Sequence, residues 1–275
     1  MNRAVFFTTI LAHETWARVH LNGLPLYKSP FVGPDSRSGP ANYLLLPGTN
    51  EISVELLRIE KREEERIGDV DLRKDAIKVQ LYGVNNPDAP EGTKLDRAMI
   101  LDVEFPKVFD EETAPEFQRY PFHYRTEFEV EGVSRPLFAD APAAEFGCEG
   151  TPALHDAVRQ IYGCLERGDY DGFLDELSLK FQCDEMALKG VSDAPTAGDK
   201  KQMMRDDLFP YEPRPTEPLD PSLLHFHPLR GGSVAHVTRF DDQFVLDIPC
   251  QKDPRRRIRT DLLLMQHEGR WRVFA

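Results

Sequence analysis

The stretch LHDAVRQIYGCLERGDYDGFLDELSLKF, residues 154–181, constrains the fold of this chain more than any other. Its first half carries apolar side chains at helical spacing, at Leu154, Val158, Ile161 and Leu165. Thr151 before Pro152 is a typical helix start, because the threonine oxygen caps free amides and proline gives up an N–H that has no partner there. Gly168 predicts the end of this helix, since glycine adopts the left-handed conformation at little cost.

Asp169 predicts the N-cap of a second helix directly after this corner. The apolar face of that helix comprises Tyr170, Phe173, Leu174, Leu177 and Phe181. Two helices this short cannot bury a core between themselves, so they need a sheet to cover. Strands for that sheet are predicted from apolar or alternating runs at 223–227, 234–240, 244–248, 258–266 and 271–274. A third helix, at about 198–209, is expected between the helix pair and the sheet.

The phrase IYGCLERGDYDGFLDEL, followed by a meander that ends LLLMQHEGRWRVF, resembles the nuclear transport factor 2-like superfamily. The resemblance covers about residues 151–275. It implies a cone, in which a curved antiparallel sheet wraps around helices. Dimerisation through the sheet is frequent in that superfamily, so the resemblance also raises a homodimer as an expectation. Because many functions share this fold, the resemblance predicts architecture rather than activity.

The first half of the chain carries strand signals and little helical periodicity. WARVHLNGLPLY places Asn22-Gly23 between two extended apolar segments, a hairpin signal because both residues tolerate positive φ. NYLLLPGTNEISVELLRI predicts two more strands around a Pro-Gly-Thr-Asn turn, and IKVQLYGV, MILDVEFP and YRTEFEVEG predict three others. AVFFTTILA, at 4–12, is interpreted as a first strand and not as a signal peptide, because two threonines interrupt a short apolar stretch. The charged run KREEER, at 61–66, is interpreted as a solvated extension.

The pairing of VHLNGLPLY with LLLPGTNEISVEL resembles the galactose-binding-like β-sandwiches found as accessory domains in glycosidases. This resemblance covers roughly residues 4–84 and implies that the second phrase closes a sandwich. It also implies sugar binding as a hypothesis, in which Trp16 could stack on a sugar ring. Core packing is the favoured role of that tryptophan.

Residues 136–153, PLFADAPAAEFGCEGTPA, are rich in Pro, Ala and Gly and lack periodicity, which is typical of a linker between domains. The predicted fold is therefore an all-β N-terminal β-sandwich at 1–145, followed by an α+β cone at 146–275.

The chain has 275 residues and a net charge of −13. Both parts are acidic, with 17 Lys and Arg against 25 Asp and Glu up to Gly147, and 17 against 22 after it. Both therefore repel polyanions, which excludes nucleic acid as an expected partner. The four cysteines lack metal-type spacing, which favours free thiols in a reducing cytoplasm. No segment is long enough to span a membrane. We expect a cytoplasmic protein, as the free cysteines favour, and no cofactor.

Enzymes that resemble the cone, such as ketosteroid isomerases and related dehydratases, place an acid or base in an internal pocket with a Tyr partner. The polar residues that could face such a pocket here are Tyr162, His225, His227, His236, Asp247 and Asp261. An apolar wall would shift the pKa of such a carboxylate or imidazole. No family's catalytic pattern matches these residues, so a member without catalytic activity is favoured.

The spacing of the same histidines suggests a second hypothesis, a metal site. His225 and His227 share one strand face, and a turn at 229–232 would bring His236 roughly opposite His225. Three imidazoles on one face could hold zinc. No fourth ligand is assured, so exposed or hydrogen-bonded histidines are favoured and no metal is expected.

Two further segments are candidates for binding. The cluster DPRRRIRT supplies Arg255, Arg256, Arg257 and Arg259. Alternation predicts Arg257 and Arg259 on one face, opposite Ile258. The cluster could bind a phosphate or an acidic partner, although offsetting the acidity of its own surface is favoured. FPYEPRPTEPLDP, at 209–221, is either a loop across the cone, which is favoured, or an exposed epitope or pocket lid.

These observations lead to two hypotheses. The leading one is a non-catalytic, bacterial-type protein-binding module that uses the acidic sandwich, the mouth of the cone, or both. Its specific form is an immunity or adaptor protein held against a secreted effector. The alternative is a small-molecule binder or an isomerase- or dehydratase-type enzyme that uses the cone pocket. A cone filled by its own aromatic side chains would remove that alternative.

Overall fold

The computed structural model describes residues 5–12, 16–29, 35–57, 77–84, 97–105, 122–188, 194–240 and 243–275. Within these ranges the chain forms fourteen strands, in four antiparallel sheets, and four α-helices. The fold is therefore mixed and rich in strands. Contacts divide the chain into two compact units: Met1–Arg135 with Gly190–Ser192, and Pro136–Lys189 with Asp193–Ala275.

The first unit contains two four-stranded antiparallel sheets. Its strands are β1 (Val5–Ala12), β2 (Trp16–Leu21), β3 (Leu24–Lys28), β4 (Asp35–Pro40), β5 (Gly48–Leu57), β6 (Ile77–Val84), β7 (Arg97–Phe105) and β8 (Phe122–Val130). One sheet has the order β4-β1-β6-β7 and the other the order β3-β2-β5-β8. The strand predicted from AVFFTTILA is confirmed as β1, which lies between β4 and β6. The run KREEER lies outside the described residues.

The predicted hairpin at Asn22-Gly23 is confirmed. These residues have φ values of 55° and 75° and join β2 to β3. The Asn22 side chain also donates to the carbonyl of Leu44 and to Oδ1 of Asn50, both at 2.8 Å. Asn50, which is buried, in turn accepts from the amide of Leu46 and donates to its carbonyl. These bonds join the two phrases that carry the sandwich resemblance.

One strand of the second predicted pair is absent from the described residues. Residues 42–44 form a turn, and β5 alone follows from that stretch. Leu44 and Leu45 are nevertheless fully buried. The strand prediction is therefore wrong for this run. A short apolar run has the same sequence pattern in a buried turn as in a buried strand, so the pattern could not distinguish them.

The helical corner of the second unit is confirmed. α1 spans Pro152–Arg167, and Thr151 Oγ1 accepts from the amide of Leu154 at 3.3 Å. Gly168 ends α1 with φ 70°, in the left-handed region. Asp169 then caps α2 (Tyr170–Glu176) by accepting from the amide of Gly172 at 3.0 Å.

The second predicted helix is interrupted. Leu177 has φ −87° and ψ 2°, and α3 (Ser178–Ala187) begins after it. The interruption leaves the predicted apolar face intact, because Leu177 and Phe181 both join the buried core.

The expected place of the third helix is wrong. α4 (Ala197–Asp207) has no buried residue, so it does not lie between the other helices and the sheet. Ion pairs join it to α3 and α2, from Lys200 to Asp184 at 3.1 Å and from Arg205 to Asp171 at 2.6 Å. No helix in the described ranges is both long and apolar enough to cross a membrane.

Two further sheets complete the second unit. Their strands are β9 (Leu224–Leu229), β10 (Val234–Arg239), β11 (Leu246–Pro249), β12 (Arg257–Thr260), β13 (Leu262–His267) and β14 (Arg270–Val273). The orders are β14-β13-β10-β9 and β11-β12. The single strand predicted at 258–266 is wrong, because the chain changes sheets at Asp261. The carboxylate of Asp261 accepts from the amide of Val245 at 3.3 Å at this change.

Part of the predicted linker at 136–153 packs on the second unit. The buried ring of Phe138 lies 5.9 Å from that of Phe274, between centroids. Phe146 meets Trp271 edge-on at 5.6 Å. The amide of Ala144 donates to the carbonyl of Gly232 at 3.1 Å.

Substituting the corner glycine should destabilise the second unit. In Gly168→Ala, the left-handed backbone costs roughly 1–2 kcal/mol. The new Cβ would also lie 2.7 Å from Nη2 of Arg214, which must move. Urea unfolding followed by far-UV circular dichroism reports this, since every described helix lies in the second unit.

Gly198→Ala is the matched control. Gly198 lies in the first turn of α4 without positive φ, and its added Cβ meets only Thr196 Oγ1 at 3.6 Å. This variant should gain roughly 0.4–1 kcal/mol. Equal effects of the two substitutions would contradict the assigned corner.

Candidate functional site

Apolar side chains fill the space between the helices of the second unit and its sheets. The aromatic members of this buried cluster are Tyr162, Phe173, Phe181, Phe209, Phe226 and Trp271. The cluster joins α1, α2 and α3 to β9, β10, β13 and β14. A buried polar group within this cluster needs a hydrogen-bond partner.

Tyr162 is the sequence candidate that belongs to this buried cluster. Its hydroxyl donates to the carbonyl of Glu217 at 2.6 Å. Burial raises the pKa of Tyr162, and the nearby Glu166 carboxylate raises it further. The hydroxyl therefore stays protonated and holds the proline-rich segment against α1.

The three candidate histidines lie on the other face of the sheet. Leu224 and Phe226 alternate with His225 and His227 along β9 and belong to the buried cluster. Successive side chains of a strand point to opposite faces, so the imidazoles point away from the helices. The sheet thus separates them from Tyr162.

The predicted pairing of these histidines is wrong by two residues. His236 lies opposite His227, and His225 lies opposite Thr238. The cause is the length of β9, which continues to Leu229 and displaces the turn by one residue. A displacement of one residue in a turn moves the pairing of its strands by two.

The imidazoles form a row of rings. The centroids of His225 and His227 are 4.1 Å apart, and those of His227 and His236 are 5.6 Å apart. Phe240 stacks on His225 at 4.6 Å. His236 Nε2 lies 3.8 Å from Asp261. Within the described ranges, no group of three or more His, Cys, Asp or Glu could hold a metal ion.

Asp247 is engaged by two arginines of the neighbouring strand. Its Oδ1 accepts from Nε of Arg257 at 2.7 Å and from Nε of Arg259 at 3.4 Å. The predicted shared face of these arginines is therefore confirmed. The carboxylate of Asp247 thus offsets part of the positive charge of the two arginines.

The other two arginines are held by different groups. Arg255 donates to both oxygens of Asp253, and this hydrogen bonding lowers the pKa of that carboxyl. Arg256 donates to the carbonyl of Asp207 at 2.9 Å and lies over the ring of Tyr211, 4.2 Å from its centroid.

The proline-rich segment at 209–221 is bound to the second unit along its length. Pro213 forms a bridge with Cys250, and the amide of Arg214 donates to the carbonyl of Pro249 at 3.1 Å. Tyr162 binds Glu217, and Leu219 packs on the buried cluster. These contacts agree with the interpretation of residues 209–221 as a loop packed on the rest of the unit.

Sequence reasoning missed a surface depression in the first unit. It has a volume of about 190 Å³ and is lined by His20, Ser53, Val54, Glu55, His123, Tyr124 and Arg125. Polar residues at alternate positions of NEISVEL and YRTEFEV were the available signal. Glu55 lies 3.6 Å from Arg18 and 3.7 Å from His123, in partly exposed pairs that contribute little stability. The Trp16 side chain lies outside the described residues.

No protein-family model, no curated protein and no solved structure matches the chain. The function therefore has to be inferred from the geometry.

The cysteines should differ sharply in reactivity. Cys148 is exposed, while Cys164, Cys183 and Cys250 are buried. Burial raises the pKa of Cys183 to about 12, so its thiol carries almost no thiolate at neutral pH. A thiol reagent at mildly alkaline pH should label Cys148 alone in the folded protein, as peptide mass mapping can show. Rapid labelling that persists in Cys148→Ser would contradict this assignment.

Removing the Tyr162 hydroxyl should loosen the proline-rich segment. Tyr162→Phe leaves the Glu217 carbonyl without its donor and should cost about 1 kcal/mol. Hydrogen exchange of amides in 212–221 should accelerate. Tyr211→Phe is the control, because its hydroxyl has no hydrogen-bond partner in the part of the chain that is described. Unchanged exchange in Tyr162→Phe would argue against the bond.

Proposed function

We propose that the first unit is a galactose-binding-like β-sandwich and the second a nuclear transport factor 2-like cone. Two four-stranded antiparallel sheets in the first unit support the sandwich. The cluster that joins α1, α2 and α3 to one side of the β14-β13-β10-β9 sheet supports the cone.

We further propose that the chain is a non-catalytic protein-binding module. The packed interior of the second unit is the observation that carries this proposal. Six aromatic side chains and their aliphatic neighbours occupy the interior between helices and sheets, where the small-molecule alternative would need its ligand site. Two of the six polar candidates are engaged by other groups, Tyr162 by a carbonyl and Asp247 by two arginines.

The acidic surface of the first unit is the proposed site of contact. Exposed Glu127 and Glu129 follow one another on the outward face of β8. Glu51 of β5 lies directly opposite Glu127. Arg125, two residues before Glu127, pairs with Glu51 at 3.4 Å. The exposed carboxylates of Glu127 and Glu129 would favour a basic partner that covers them.

The specific form of the proposal is a cytoplasmic immunity or adaptor protein that binds a secreted effector. Such a role needs a stable surface rather than a reactive group. The competing function, a small-molecule binder, requires a site inside the second unit, and the experiment below separates the two.

Capture of the intact protein from a lysate of its own cells tests this function. Bound proteins are identified by mass spectrometry, and retained small molecules are extracted in parallel. We expect a stoichiometric protein partner. A retained metabolite without any protein would contradict the proposal and favour the small-molecule function.

Charge reversal localises the contact. Glu127→Lys with Glu129→Lys should weaken the association and reduce its dependence on salt, because the acidic face is lost. Glu145→Lys with Glu149→Lys makes the same change in charge at exposed positions of the second unit. If the wild type and both double variants bind the partner equally well, the acidic face is not part of the interface.

A further inference from the structure

Residues 246–260, here called the arginine hairpin, carry a positive charge on an acidic chain. The hairpin comprises β11, its connection and β12. It contains one lysine, four arginines and two aspartates, a net charge of +3, whereas the whole chain carries −13. Such a concentration of opposite charge directs a complementary partner to one place.

The buried side of the hairpin fixes its position. Ile248 is buried, and Ile258, which lies directly opposite it, packs on the core of the second unit. Arg256 adds a second attachment, because it binds the carbonyl of Asp207, the last residue of α4, and the ring of Tyr211. The outward side chains therefore stand on an ordered platform.

Arg257 and Arg259 share a single carboxylate oxygen on the outward side. Both use Nε to bind Oδ1 of Asp247. Their terminal guanidinium nitrogens have no hydrogen-bond partner among the described residues. The side chains are 36% and 31% exposed, so these donors are partly accessible while the Asp247 contact limits their rotation. Pre-organised guanidinium donors are suited to binding carboxylates.

We propose that the arginine hairpin binds an extended acidic segment of the protein partner, with carboxylates at alternate positions. This inference rests on the proposed function and names the chemistry of a second contact with the same partner. Arg257 and Arg259 are two residues apart on β12, so their Cα atoms are roughly 6.6–6.8 Å apart. An extended Glu-x-Glu or Asp-x-Asp segment has the same backbone interval, so it can run beside β12 and offer one carboxylate to each arginine.

A short carboxylate segment suits this surface better than a nucleic acid. The chain is acidic outside the hairpin, so a long polyanion would extend from the arginines onto a surface that repels it. A short segment can end before it reaches that surface. A phosphopeptide remains a distinct outcome of the test.

Fluorescence anisotropy of labelled probes with the intact protein tests the inference. The main probe is a peptide with glutamates at alternate positions. Its control has the same composition with the glutamates adjacent to one another. A phosphoserine peptide and an oligothymidylate provide the other two anions. We expect the alternating peptide to bind most tightly and to weaken as salt is raised.

Variants of the two arginines assign the site. Arg257→Glu with Arg259→Glu should weaken binding of the alternating peptide at least about tenfold. Arg257→Lys with Arg259→Lys keeps the charge but not the planar fork, and should weaken it less. Arg159→Glu, at an exposed arginine of α1, should have no effect. Circular dichroism verifies that each variant is folded.

The results separate this inference from the proposed function. No binding of the alternating peptide, equal binding of the adjacent-glutamate control, or unchanged binding by the glutamate variant would overturn it. Tighter binding of the phosphopeptide or the oligothymidylate would overturn it as well. If the wild type and the arginine variants capture a protein partner equally, the arginine contact is contradicted and the protein-binding function is retained. If no partner is captured at all, the protein-binding function itself is contradicted.

Discussion

The left-handed backbone at Gly168 brings α1 and α2 into one buried cluster. The amides of Gly168 and Asp169 donate to carbonyls in the last turn of α1, at Leu165 and Cys164. Asp169 begins α2 in the same step by capping it. A side chain at Gly168 would meet Arg214, so the proline-rich segment depends on the same small residue. Backbone conformation at this corner therefore determines how the helices cover the sheet.

The sheet that these helices cover also separates the polar groups of the second unit. Tyr162 lies on the helical side, within apolar neighbours, while His225 and His227 lie on the other side. A general acid and an oxyanion donor must converge on one substrate, and groups on opposite faces of a sheet do not. At the surface of this unit, the arginine hairpin opposes the acidity of the rest of the chain.

The corner and its caps could be predicted from the sequence because each rests on local residues: Thr151 before Pro152, Gly168 and Asp169. The hairpin at Asn22-Gly23 was predictable for the same reason. Strand pairing was harder to predict from the sequence. The end of β9 moved the histidine register by two residues, and periodicity does not mark where a strand ends. The contacts of Asp247 depend on the pairing of β11 with β12, so its role could not be read from composition.

Trp271 offers the most direct measurement of the central claim, that the interior of the second unit is a packed core and binding occurs at the surface. Its ring is buried in that core and meets Phe146 edge-on. In Trp16→Phe it is the remaining tryptophan of the chain, which has two. Its emission can be followed while the small-molecule fraction of a source-cell extract is added. The account predicts no saturable change. A saturable shift or quenching of Trp271 emission would contradict it, because a ligand would then be entering the core.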